Sequence, residues 1–338
     1  MLVEKLIIAG SVLGASLGIA TYSTLAERKV AAWLQDRVGP NRAGPGGILQ
    51  PLADGVKLLF KEEFIPAFSN KVLFVLGPSI AMLLACMGGS VIPWGSQLSI
   101  GGHTIPLVIA DINIGLLFMF AVVSLGAYGI MIGGWASNNK YSLMGAIRAA
   151  SQIISYELAM GLSIIALIMT TGTLSLNEIA AQQHGWHWNI LIQPLGFLIF
   201  MICAFAETNR APFDLPECET ELIGGYHTEY GSMKLGFYLF AEYVNMFISS
   251  ALMSTLYFGG YNMPLIGRLG LSPNLTALIG TGFLFAKIFF FIFVFMWVRW
   301  TLPRFRYDQL MNLGWKVLIP LALLNLLGTG AWLLFFPR

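Results

Sequence analysis

The sequence predicts an all-α polytopic membrane protein with eight transmembrane helices, one short amphipathic helix at the interface and no separate soluble domain. Three observations carry this. Of 338 residues, 57% are hydrophobic and 11% charged, with a mean hydropathy of +0.73; a soluble domain usually carries about a quarter charged residues. The apolar residues gather in runs near the ~20 residues that a helix needs to cross a bilayer core, where each backbone polar group must be satisfied within the segment. The Lys and Arg residues fall mainly on alternate connections. A net charge of +2 without a basic run argues against nucleic acid, and no GxGxxG or other phosphate-cradling loop suggests nucleotide.

The runs cover roughly 6–26, 72–93, 112–134, 152–171, 190–206, 235–258, 275–298 and 317–336. The first, second, third and eighth are long and uncharged, and the fifth is short but uncharged. The other three hold one ion each, Glu157, Glu242 and Lys287. Seven, two, two and four Lys/Arg follow spans 1, 3, 5 and 7, which is fifteen of the nineteen. Only Arg268 lies on the other connections. By the positive-inside rule the connections 27–71, 135–151, 207–234 and 299–316 are cytoplasmic, and both termini lie on the opposite side. The basic pair Arg28 and Lys29 follows the first apolar run instead of preceding it, unlike a cleavable signal. Residues 1–338 thus read as a single membrane domain.

The first cytoplasmic connection has a Gly-Pro-rich centre, Gly39 to Gly47, which cannot be helix and predicts a shaped turn. A short amphipathic helix follows. Pro51 suits its first turn, and Leu49, Leu52, Val56, Leu59 and Phe60 recur at helical spacing. Its apolar stripe suits either lipid or the bundle. Before the turn, Glu27, Arg28, Lys29, Asp36, Arg37 and Arg42 mix signs, which a simple basic loop does not need. Paired charges there suggest a polar wall against another protein, or one that lines an entrance.

The third connection collects six acids, Glu207, Asp214, Glu217, Glu219, Glu221 and Glu229, against Arg210 and Lys234. Pro212 and Pro216 break the helix leaving span 5, while Gly224 and Gly225 permit a further turn. Phe213, Leu215, Leu222, Ile223 and Tyr226 are interleaved, so the loop is expected to fold back into the protein. Carboxylates crowded in partly buried surroundings resist ionising and titrate as a set, which is what a proton store requires. The plainer alternative is a solvated acidic surface for a basic partner.

Ions within spans cost ~2.5–3.5 kcal/mol on insertion scales and are functional candidates by default. Glu157 and Glu242 both lie near the cytoplasmic ends of their spans, close to the acidic loop. They suggest a file of carboxylates entering the bundle; a packing pair between Glu157 and Arg148 is the alternative. His184 and His187 lack a third ligand nearby and read as a surface pair. Cys86, Cys203 and Cys218 form no CxxC and read as structural, so no metal site is expected.

Four long blocks, in order, carry a resemblance: AERK with QDRVGPNRAGPGGILQPLADGVKLLFKE; RAASQIISYE; AETNRAPFDLPECETELIGGYHTEYGSMK; and LPRFRYDQLMNLGWK. The chain resembles, over roughly residues 20–320, the H-subunit family of proton-pumping NADH:quinone oxidoreductase, respiratory complex I (subunit 1 in mitochondria). The resemblance implies a membrane subunit that anchors the peripheral arm and forms the membrane part of the quinone chamber. Quinone would be substrate, entering beside spans 1 and 6 and the amphipathic helix. NADH, FMN and iron–sulfur clusters would belong to partner subunits, with no cofactor and no complete active site in this chain alone. It implies Arg28, Arg37 and Asp54 at the entrance and tail channel, and Arg210 and Phe213 in the chamber. Glu207, Asp214, Glu217, Glu219, Glu221 and Glu229 would form a proton-coupling wall, with Glu157 and Glu242 leading inward. A bacterial inner membrane is the expected location, ahead of a mitochondrial one. Two rival readings stand beside this: a homologous hydrogenase-type anchor without quinone, and a stand-alone proton-coupled transporter, against which the lack of an inverted repeat speaks.

Overall fold

The computed structural model describes residues 2–100, 103–215, 223–264 and 272–336. The chain enters as α1 (Leu2–Leu34), passes the turn region, and forms the interfacial helix α2 (Gln50–Phe60) and then α3 (Lys71–Gly88). A hairpin of β1 (Gln97–Ile100) and β2 (His103–Pro106), paired antiparallel, precedes α4 (Gly115–Ala136) and α5 (Lys140–Thr171). Two short helices, α6 (Leu176–Gln182) and α7 (Asn189–Ile192), lead to α8 (Pro194–Glu207). The long helices α9 (Ser232–Tyr257) and α10 (Pro273–Thr301) follow. Last come α11 (Tyr307–Asn312), a π-turn over Leu313–Leu318, and α12 (Ile319–Phe335), running as one rod.

Among the described residues, seven helical stretches are long and apolar enough to cross a membrane: those of α1, α3, α4, α5, α9, α10 and the final rod. α8 is shorter than expected for a span. Its 14 residues rise ~21 Å, against a hydrocarbon core of ~30 Å. Pro194 begins it, and the non-helical Gln193 separates it from α7. Gln193 is buried and tied to the last helix, donating to the Thr329 hydroxyl (2.7 Å) and accepting from Asn325 (3.0 Å).

In the most apolar window of each stretch, α9 and α5 are the best enclosed, with 61% and 50% of residues buried. In α1 and the final rod only 17% are, so those two lie at the periphery. Tyr156, Phe200, Phe247 and Tyr257 are among the large side chains fully enclosed between them. Glycines bring α3 and α4 together: a Cβ at Gly77 would lie 2.9 Å from the Gly133 Cα, and one at Gly129 would lie 2.9 Å from the Ala81 nitrogen.

Two helices extend past their apolar runs. α1 continues to Leu34, so Glu27 and Arg28 are helical and not in a loop. α5 begins at Lys140, with Asn139 capping the Tyr141 amide. The Gly39–Gly47 region is the predicted turn, with Gly44, Gly46 and Gly47 at positive φ. On α2 the predicted stripe of Leu52, Val56, Leu59 and Phe60 stays exposed, while Pro51 is buried. The stripe therefore faces away from the bundle, as an interfacial anchor does.

Candidate functional site

A cavity of about 320 Å³ opens where α1, α2, α9 and α10 converge. Thr21, Thr24, Glu27 and Arg28 come from α1, Asp54 and Leu58 from α2, Phe240 and Tyr243 from α9, and Arg299 and Trp300 from α10. One side is apolar and the other charged.

The charged side has two acids, each held by two cations. Asp54 accepts from Arg28 at 2.8 Å and lies 3.6 Å from Lys57, with Gln50 at 3.2 Å. Both partners are water-accessible, so the pair contributes little to stability. Glu27 is different: it is buried, meeting Arg299 at 2.5 Å and Arg210 at 3.3 Å, and it accepts the Tyr243 hydroxyl at 2.7 Å. Arg210 also lies over the Tyr243 ring, 4.0 Å from its centre. A buried ion cluster survives desolvation only with such dense pairing.

Arg210 belongs to the turn that follows α8. Glu207, the last residue of α8, reaches a smaller cavity of about 40 Å³, whose wall it shares with Glu242, Tyr226 and Asn245. Tyr226 donates to Glu242 at 3.3 Å. This space has polar groups on a largely apolar wall and is large enough for at least one water molecule. Asp214, buried at the other end of the turn, pairs with Arg304 at 3.0 Å.

The remaining expected residues are dispersed. Arg37 is exposed, bonded to Gln35 at 2.7 Å, and is not part of the cavity wall. Phe213 is a buried packing residue between Tyr156 and Phe305, with ring centres 5.3 and 5.4 Å away. Glu229 accepts from Asn139 at 2.6 Å in a separate surface recess, with Lys140 and Phe68. Glu217, Glu219 and Glu221 lie outside the described residues, as does Cys218. Cys86 and Cys203 are free thiols. His184 and His187 are both exposed.

Glu157 accepts the Ser124 hydroxyl and is close enough to Glu207 for the two charges to interact. It lines an apolar groove of about 750 Å³ with Phe120 and Trp315. Arg148 lies nine residues earlier on α5, ~13 Å away along the axis, and stacks over the Tyr307 ring. Lys287 belongs to neither cavity. Its ammonium donates to the carbonyls of Phe258 (2.6 Å), Gly260 (2.6 Å) and Asn262 (3.4 Å), where it closes the C-terminal end of α9.

The far end of the acidic connection is pinned by Tyr230, which stacks on Phe74 and donates to the carbonyls of Phe74 (3.1 Å) and Gly133 (3.2 Å). Burial pushes its phenol up to about 12, so it remains a donor throughout the neutral range.

Sequence reasoning overlooked Tyr243 and Arg299 and gave Glu27 only a place in a polar wall, not in a buried cluster. Glu27 had one signal, its place in a run of alternating charge. Tyr243 and Arg299 had none, because their meeting point is tertiary.

A charged cavity between bilayer-length helices, with further carboxylates on α5, α8 and α9, defines an integral membrane protein that carries ionisable groups inside its bundle. A family profile described as NADH dehydrogenase matches residues 7–330. The NADH-quinone oxidoreductase H-subunit 1 of Cytophaga hutchinsonii is 70% identical over 335 residues, covering 99% of this chain and 98% of that protein. The H-subunit of Flavobacterium psychrophilum is 64% identical over 339 residues, with 99% and 98% covered. That of Thermomicrobium roseum is 48% identical over 338 residues, with 97% and 96% covered. The chain belongs to the NADH dehydrogenase family of membrane proteins that includes these H-subunits.

Proposed function

We propose that this chain is the membrane subunit of an NADH:quinone oxidoreductase that forms the membrane part of the quinone chamber, anchors the peripheral arm and couples quinone reduction to proton translocation. One observation carries the coupling. The Glu27 carboxylate is shared by Arg299 of the cavity wall and Arg210 of the acidic turn. The apolar side of the cavity, with Leu58, Phe240 and Trp300, suits a quinone tail arriving from the bilayer. Arg28 and Asp54 on the charged side suit a polar headgroup in transit.

Electrons reach the quinone from NADH through FMN and iron–sulfur clusters held by partner subunits. Within this chain, Glu207, Glu242 and Tyr226 around the small cavity, with Glu157 beyond, form a file along which protons move. Asp214, Glu217, Glu219, Glu221 and Glu229 belong to the same proton-coupling set. Arg37 and Phe213 serve the chamber indirectly, Arg37 from an exposed turn beyond the wall and Phe213 by packing under the turn.

α8 together with the turn before it serves as an eighth span. Both termini then lie opposite the basic connections 27–71, 135–151, 207–234 and 299–316. The protein sits in a bacterial inner membrane as one domain.

The test is inhibitor-sensitive NADH:quinone activity in membranes carrying Asp214→Asn, with the amount of assembled complex checked. Lost quinone reduction, with NADH oxidation by an artificial acceptor retained, is the expected result. Undiminished quinone reduction and pumping would reduce the acidic turn to a docking surface.

A further inference from the structure

Gln152 on α5 has no exposed surface. Its side-chain amide donates to the Ala206 carbonyl at 2.7 Å and the Phe213 carbonyl at 2.7 Å, and it lies 3.4 Å from the Asn209 side-chain oxygen. Ala206 immediately precedes Glu207, and Phe213 immediately precedes Asp214. One NH₂ group thus fixes the main chain on the N-terminal side of both acids. Between those two points, Arg210 leaves the turn for Glu27.

We propose that Gln152 is the positioning residue of the acidic turn, holding Glu207, Arg210 and Asp214 in their three separate directions. This rests on the reading of that turn as the proton-coupling element. The choice of side chain follows from the geometry. Three acceptors converge on one point, and only a group with two hydrogens and no charge satisfies two carbonyls there. Its own oxygen has no partner among the described residues, so the donors alone set the orientation of the amide. A flipped amide would face three acceptors with a lone pair. Gln152 is also five residues before Glu157 on the same helix. The clamp therefore ties the turn to the helix that carries the next carboxylate inward.

The test uses the assembled complex, in native membranes for quinone reduction and in vesicles for protons moved per electron. Gln152→Leu keeps the bulk and removes both donors. Gln152→Glu keeps the shape and offers one proton only when neutral. With complex content normalised, Gln152→Leu is expected to lower quinone reduction about tenfold across the pH range, the scale of one or two buried hydrogen bonds lost. Gln152→Glu is expected to recover as pH falls, an acid limb absent from both wild type and Gln152→Leu. The wild-type profile already contains the influence of the neighbouring Glu207, Asp214, Glu157, Arg210 and Arg304, so the limb is read as a difference from it.

A Gln152→Glu enzyme that matches wild type at every pH would overturn the proposal. So would a loss in Gln152→Glu that is the same at every pH, since that signals packing alone. Where Gln152→Leu fails to assemble, the isosteric Glu variant still decides; where both fail, Gln152→His, which retains a single ring donor, is read in the same way. Asp214→Asn separates the two levels. If it too leaves reduction and pumping intact, the reading of the turn is at fault; if it impairs them while the Gln152 variants do not, only the role of Gln152 is.

Discussion

Glu27 and Arg299, from the first long helix and the last but one, meet at 2.5 Å on the floor of the cavity. Arg210 reaches the same carboxylate from the acidic turn. Removing the acid leaves the buried Arg210 and the half-buried Arg299 guanidinium groups without their shared counter-charge. Breaking a buried pair costs ~3–5 kcal/mol, so Glu27→Ala should lower the complex's melting temperature and abolish quinone reduction. Glu27→Asp, which keeps the charge, should retain a measurable fraction of both. A melting curve of the Ala variant that overlays wild type would show that the cluster bears no weight.

Asp54 differs because its pair with Arg28 is open to water. An exposed pair contributes ~0–1 kcal/mol, so Asp54→Asn should leave thermal stability unchanged. It also leaves Arg28 and Lys57 unbalanced at the cavity wall. The expected outcome is a raised KM for quinone, about three- to tenfold, that shrinks as salt screens the excess positive charge. The check is a steady-state titration with a short-chain quinone at two ionic strengths. An unchanged KM at low salt would remove Asp54 from the path of the substrate.

Much of this was legible in the sequence, and the reasons are physical. Hydropathy runs report burial in a bilayer directly, and seven long spans follow from them. The acidic connection stood out because a cytoplasmic loop has no need for six carboxylates. The fifth run misled in length because Gln193 and Pro194 interrupt it, and its polar partners, Asn325 and Thr329, come from the far end of the chain. The Glu27 cluster was illegible for the same reason: four elements contribute one side chain each. Arg37 and Phe213, carried over by motif alone, take positions that motif order does not determine.

Lys287 was singled out as an ion inside a span, and its surroundings are carbonyls, with none of the described acids paired to it. It closes the end of α9, so its work is structural. Lys287→Met would strip the donor from the carbonyls of Phe258, Gly260 and Asn262. Unsatisfied buried polar groups cost ~1–3 kcal/mol each, so the variant should melt several degrees lower, with protons moved per electron unaltered. Lys287→Arg, which keeps donors and charge, should melt closer to wild type. Intact melting with reduced pumping would instead make Lys287 a member of the proton file.

Glu157 and Glu242 give the sharpest test of that file, because replacing them need not disturb packing. Ser124 donates to Glu157 and Tyr226 donates to Glu242, and a Gln carbonyl accepts either bond equally well. Glu157→Gln and Glu242→Gln should therefore assemble normally. Each removes a site that binds and releases a proton, and a serial path fails at any missing step. Single variants should lose most proton translocation, and the double variant should lose no more than the worse single one, the non-additivity expected of groups acting in one chain. Proton uptake and quinone reduction measured together in vesicles provide the check. Losses that multiply would place the two acids on separate routes. Full pumping in the double variant would mean that protons pass elsewhere and that these carboxylates only shape the bundle.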